Sequence, residues 1–179
     1  MNIFFRFFLV ATLWLASQIV AAGVVRITGS IIGDDTRYVH QSTGVGWSAD
    51  DPTWGYGAPI SALSFNDNLV RLRVLPSNVV GQHARTDLRP DFDYYSLENR
   101  VRTSASRNVA QGLRVHRNPG SLTITLWGEI SVQSAGRELE MAVAEPVLFA
   151  AAALRSELLR LGVEVKGEKY SPAQVSAMI

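Results

Sequence analysis

The chain carries two lysines, Lys166 and Lys169, beside fifteen arginines. Any chemistry that needs a side-chain amine must use one of those two. A serine acyl-enzyme of the Ser-x-x-Lys type places the amine one helical turn from the hydroxyl it activates. Val163 and Lys166 stand three residues before the two lysines, so that motif is absent. The companion Lys-[Ser/Thr]-Gly strand is absent too, because the lysines precede Gly167-Glu168 and Tyr170-Ser171. Ser-x-Asn occurs as Ser64-Phe65-Asn66 and Ser106-Arg107-Asn108, but three letters arise easily by chance. No residue is assigned a catalytic role.

Other chemistries fare no better. Cysteine is absent, which excludes disulfides, thiolate ligands and thiol nucleophiles. His40, His83 and His116 are far apart, with no i,i+4 pair for a helix-borne metal, so no metal site is expected. Gly162 to Gly167 has the glycine spacing of a phosphate loop, but Glu168 stands where the lysine belongs. No cofactor is implied. Nine arginines between Arg71 and Arg117 face four acids, a pattern that fits a solvated strand face better than an anion site. Asp34-Asp35 and Asp50-Asp51 read as turn and cap residues. A net charge of +1 offers no electrostatic case for nucleic acid.

The elements that would position such residues are legible in places. Val24 to Ile32 is β-branched and runs into Gly33-Asp34-Asp35, a strand ending in a turn. Ser42 to Pro59 reads as a loop bearing Trp47 and Trp54. Leu69 to Leu75 alternates, with Val70, Leu72 and Val74 on one face and Arg71 and Arg73 on the other. Pro76 to Asp93 reads as polar and irregular. Leu113–Arg117 and Ser121–Trp127 flank Asn118-Pro119-Gly120, a hairpin signal that turns Leu122, Ile124 and Leu126 inward. Pro146 opens a helix that Gly162 closes, with an apolar stripe from Val147 and Leu148 through Leu158 to Leu161. The expected fold class is α+β: mainly antiparallel β with a helix near each end. With 47% apolar residues the chain has material for a core.

Met1 to Gly23 has two readings. Arg6, an apolar run and small residues at Val20 and Ala22 resemble a secretory signal or anchor. Alternatively, Leu13, Ala16, Ile19 and Val20 recur at helical spacing before Gly23, as a buried helix would. A membrane contact is expected only through this segment.

The stretch Gly46-Trp47-Ser48-Ala49-Asp50-Asp51-Pro52-Thr53-Trp54-Gly55-Tyr56-Gly57-Ala58-Pro59 and the following Ile60 to Asn68 carry a more specific signal. They resemble class C low-molecular-mass penicillin-binding proteins, the D-alanyl-D-alanine carboxypeptidase/endopeptidases. Leu15 to Gly23, Ile27-Thr28-Gly29 and Gly33-Asp34-Asp35 resemble that family's lead-in, Glu98 to Thr103 its mid-domain stretch, and Glu145 to Gly167 its returning helix and strand. The resemblance implies a fragment of a transpeptidase-like serine enzyme: 1–12 unmatched, 13–143 the β-rich inserted domains, and 144–179 the returning helix and strand of the host domain. It implies a periplasmic or exported protein whose partner is the peptidoglycan stem peptide. In the family, catalytic Ser-x-x-Lys lies upstream of the matched stretch, and Ser-x-Asn and Lys-Thr-Gly lie downstream. Ser64-Phe65-Asn66 falls in an inserted domain and is not the catalytic motif. The resemblance therefore implies a chain that is inactive alone. It also places the family's contact to the distal amino group of the stem peptide's diamino acid on Asp51, with a neighbouring aromatic on Tyr56. From the residues alone, Asp51 before Pro52 is equally a turn residue. A non-catalytic exported module that binds peptidoglycan or protein is the alternative.

Overall fold

The computed structural model describes residues 4–37, 46, 51–109 and 112–167, with the side chains of 4–10 and of Asp51 left aside. Two compact units share the chain. One comprises Met1–Gly44, Pro59–Asn68 and Glu145–Ile179; the other comprises Val45–Ala58 and Leu69–Ala144.

The first unit holds both helices. Helix α1 spans Phe4–Ala21 and ends at Gly23, whose φ of 83° suits a residue without Cβ. Helix α2 spans Pro146–Arg160, with proline in the first turn and Gly162 at φ 86° just past its end. Ala16 of α1 and Leu158 of α2 are fully buried in one cluster with Val163 and Val165, and Ile19, Val24, Ile27, Ile31 and Leu154 pack around them. Ala16 has the small side chain that close helix approach requires. The buried-helix spacing expected of Leu13 to Val20 is thus realised at Ala16 and Ile19, while Val20 is exposed. Strand β1 is only Arg26–Ile27 and pairs in parallel with β8, Glu164–Val165, so the longer strand expected over Val24 to Ile32 shrinks to two residues. On α2 the buried surface is wider than the expected stripe, because Phe149, Ala152 and Ala153 are also buried while Leu161 is exposed. The Phe149 ring meets Phe65 edge-on at 5.5 Å between centroids.

The second unit is β throughout. Strand β2, Leu69–Leu75, is central between β3, Arg85–Arg89, and β7, Arg137–Ala142, both antiparallel to it. Val70, Leu72 and Val74 are buried and Arg71 and Arg73 exposed, as the alternation predicts. In the other sheet β6, Thr123–Ser131, lies between β4, Ser96–Ser104, and β5, Arg114–His116. The β5–β6 pair is the expected antiparallel hairpin, with Gly120 at φ 70° in its turn and Ile124 and Leu126 fully buried. Strand β4 runs parallel to β6 over its whole length. The class is α+β, with two helices and antiparallel sheets, and this parallel pair is set within it. Strand β3 corrects the reading of 76–93 as irregular.

Candidate functional site

The stretch singled out by its tryptophans and glycines folds as two single-turn 3-10 segments, Asp51–Thr53 and Gly55–Gly57. Trp54, extended between them, forms a β-bridge to Met141 of β7. Gly55 lies so close to β7 that an added Cβ would stand 3.2 Å from the Glu140 Cβ and 3.3 Å from the Leu69 Cδ2. The Gly57 N–H donates to the Trp54 carbonyl at 2.8 Å and the Ala58 N–H to the Gly55 carbonyl at 3.3 Å. Between those two glycines Tyr56 projects outward, with 74% of its surface exposed. Asp51 opens the first turn, five positions before Tyr56; Trp47, Asp50 and His40 lie outside the described residues. The structure therefore brings the Asp51 backbone and Tyr56 onto one short two-turn segment carried on β7.

That segment is anchored by a residue that sequence reasoning grouped with the solvated arginines. Arg117 is buried, 6% exposed. One of its Nη1 contacts is to Tyr95 Oη at 2.7 Å and another to the Ala142 carbonyl, while Nη2 donates to the Pro52 carbonyl at 2.7 Å. Tyr95 Oη also accepts the Ala144 N–H at 2.7 Å, and the guanidinium lies 5.6 Å from the Tyr95 ring centroid. A signal was present in the sequence. Leu113, Val115 and Arg117 share one face of an alternating stretch, while Arg114 and His116 take the exposed face.

Both Ser-x-Asn triplets are turns. Asn66, Asp67 and Asn68 all have φ between 54° and 55°, a left-handed run that, after glycine, asparagine and aspartate tolerate best. The Ser64 hydroxyl donates to Asn68 Oδ1 at 3.2 Å, the Phe65 N–H adds a bond to the same oxygen, and Asn68 Nδ2 donates to the Pro59 carbonyl. The Ser106 hydroxyl donates to the Asn108 carbonyl at 2.9 Å. Lys166 Nζ pairs with Glu164 at 3.7 Å on the surface, and Lys169 lies outside the described residues. Among the described residues, neither serine is bonded to an amine or imidazole that would activate it.

The arginines of β2 each have an acid in register: Arg73 stands between Asp87 and Glu138, and Arg71 between Glu140 and Arg89. Arg71 reaches Glu140 at 3.1 Å and Arg89 reaches Asp87 at 3.1 Å. Such a chequered face holds little net field for an anion. Asp34 accepts the Thr36 N–H at 2.9 Å, and bonds from Thr36 hold its carboxyl below the usual range. Asp35 accepts the Ser61 hydroxyl at 3.0 Å. The first is a turn contact, as expected, whereas the second joins residues 26 apart in the chain and is not the turn or cap role expected of Asp35. Among the described residues no three metal-ligating side chains cluster.

The sequence profile of the D-Ala-D-Ala carboxypeptidase 3 (S13) family matches residues 11–177. Among curated proteins none matches the chain in sequence. In structure the chain is similar to penicillin binding protein 4 from Haemophilus influenzae, with a TM-score of 0.65 at 18% identity over 89% of this chain. It is similar also to the same protein complexed with a β-lactam, with a TM-score of 0.57 at 17% identity over 92% of this chain. The chain spans 36% and 33% of the length of those two structures. At such identity the likeness shows the fold.

Proposed function

The chain belongs to the D-Ala-D-Ala carboxypeptidase 3 (S13) family, and from that premise we propose that it forms the substrate-side portion of a serine D-alanyl-D-alanine carboxypeptidase/endopeptidase acting on peptidoglycan stem peptides. The observation that carries this reading is the span of the family match. It runs from α1 through the Asp51–Gly57 turns and both sheets to α2 and β8. A cell-wall substrate puts the site of action on the periplasmic or exported side. Among the described residues no helix is long and apolar enough to cross a membrane.

In this reading Asp51 and Tyr56 form the subsite for the distal end of the stem peptide. The Asp51 carboxylate pairs with the ammonium of the diamino acid, an interaction strengthened by each hydrogen bond the charged amine donates. The exposed Tyr56 ring supplies a wall for the aliphatic stem that carries that amine, shielding the pair from water. The backbone between them is pressed against β7 through Gly55, which supports the turn that bears Tyr56. The chain contributes no nucleophile: no Ser-x-x-Lys and no Lys-Thr-Gly occur in it. Bond cleavage then depends on a serine and lysine that the chain does not contain.

A fluorescent penicillin tests this division of labour. The isolated chain is expected to remain unlabelled after denaturing electrophoresis, and stoichiometric labelling at a serine would overturn the reading. The absence of catalytic motifs also favours a second reading, a non-catalytic exported module that binds peptidoglycan or protein. The flanking genomic sequence separates the two. Ser-x-x-Lys upstream with Ser-x-Asn and Lys-Thr-Gly downstream, in any frame, supports the enzyme; their absence supports the module.

A further inference from the structure

Arg117 is a buried cation whose acceptors, among the described residues, are all uncharged oxygens. Removing a guanidinium from water without a carboxylate partner costs on the order of several kcal/mol before its hydrogen bonds are counted. Those bonds join three separate stretches of one unit: Pro52 in the first turn, Tyr95 just before β4, and Ala142 at the end of β7. A planar fork with fixed donor directions reaches these acceptors from two separate nitrogens, whereas the three donors of a lysine all radiate from one. Pro52 directly follows Asp51, so the Pro52–Thr53 peptide whose carbonyl Arg117 grips begins at the residue bonded to Asp51 and fixes the first turn there. Tyr95 completes the clamp. Its oxygen takes both the Arg117 Nη1 bond and the Ala144 N–H, which ties the exit of β7 to the same centre.

We propose that Arg117, through the Pro52 carbonyl, is the positioning residue for the subsite that takes the distal ammonium of a diamino-acid peptide. It sets where the Asp51–Gly57 segment stands on β7 without touching the substrate. The inference rests on the assignment of Asp51 and Tyr56 made above.

The test measures binding of two synthetic stem peptides to the full chain by calorimetry. One carries a free distal amine and the other the same amine acetylated. The ratio of the two affinities is independent of how much protein is folded, so a merely structural role leaves it unchanged while lowering the melting temperature. Arg117→Lys is expected to cut the wild-type ratio by about tenfold, since misplacing one charged contact by a fraction of an ångström has effects of that order. Exchange of the Gly57 and Ala58 amides should accelerate at the same time. Tyr95→Phe keeps the ring and removes only the oxygen, and it should move the ratio the same way by a smaller factor; it carries the test if Arg117→Lys fails to fold. Wild-type protein that does not distinguish the peptides refutes the assignment of Asp51 and Tyr56, and this inference with it. Wild-type discrimination that both variants retain, with unchanged exchange, refutes the role of Arg117 alone.

Discussion

Leu158 on α2 is fully buried, and its neighbour Leu159 is 44% exposed. The pair allows the packing of α1 on α2 to be tested with one residue type at adjacent positions. Leu158→Ala removes three carbons from a cluster to which α1, α2 and β8 each contribute. At about 0.8 kcal/mol per methylene the transfer loss is about 2.4 kcal/mol. The cavity left behind adds about 24 cal/mol per Å³ that the walls do not reclaim. Those walls are helix and paired strand, which collapse poorly, so the expected total is about 3–4 kcal/mol. Leu159→Ala removes the same atoms from a half-wet position and should cost under about 1 kcal/mol. Both helices belong to the unit that contains Leu158. Urea unfolding followed by the far-ultraviolet helix signal therefore reports that unit, even if the β unit unfolds separately. A Leu158→Ala loss below about 1 kcal/mol, or equal losses at the two positions, would refute the placement of Ala16 against Leu158 as a core contact. It would then favour α1 as a leader that is no part of the folded protein.

Gly167 offers a sharper steric test. A Cβ there would stand 2.3 Å from the Gly29 carbonyl oxygen and 2.4 Å from the Ser30 nitrogen, both backbone atoms. Gly167→Ala should destabilise the helical unit by about 1–3 kcal/mol, read as a shift in the same urea midpoint, while Gly29→Ala, with open space at its Cβ, should cost far less. Tyr56→Ala should leave stability within about 0.5 kcal/mol because the ring is exposed. It should nonetheless weaken binding of the amine-bearing stem peptide several-fold by calorimetry, and unchanged binding would remove Tyr56 from the subsite.

What the sequence disclosed followed from how strongly each element's inward face is apolar. Val70, Leu72 and Val74 made β2 plain, Asn118-Pro119-Gly120 made the hairpin plain, and Pro146 with Gly162 bracketed α2. Strand β3 hides because Arg85, Asp87 and Arg89 give no apolar alternation; it exists because β2 supplies its ladder and sets Arg73 opposite Asp87. Strand β7 hides for the opposite reason. Glu138, Leu139, Glu140, Met141 and Ala142 are good helix formers, and only pairing with β2 overrides that preference. The inward face of β4 is half polar, with Asn99 and Thr103 alternating with Leu97 and Val101. Asn99 Nδ2 donates to the Ala84 carbonyl at 2.6 Å and Thr103 Oγ1 accepts the Ser77 N–H at 2.9 Å, so burial there is satisfied by bonds that no periodicity displays. For the candidate site, Asp51 and Tyr56 come from the resemblance and not from any pattern in the residues. The inward face of Arg117 was legible in the alternation with Leu113 and Val115, but its partners were not, because they are backbone carbonyls and a tyrosine oxygen from distant stretches, and a carbonyl leaves no mark in residue types.

One pairing bears on how such a chain is assembled and taken apart. Leu69, the first residue of β2, is opposite Ala142, the last of β7, in an antiparallel ladder. The stretch from 69 to 142 therefore starts and finishes about one strand spacing apart, roughly 5 Å. A segment whose ends meet can be spliced into a host chain, or cut out and bridged by a couple of residues, with little change to the host's path. The turns bearing Asp51 and Tyr56 precede this cassette and rest on its last strand. Excision would spare the connectivity on either side and strip the Asp51–Gly57 segment of its support, so on the assignment proposed above gain or loss of the cassette would alter substrate recognition in a single genetic step.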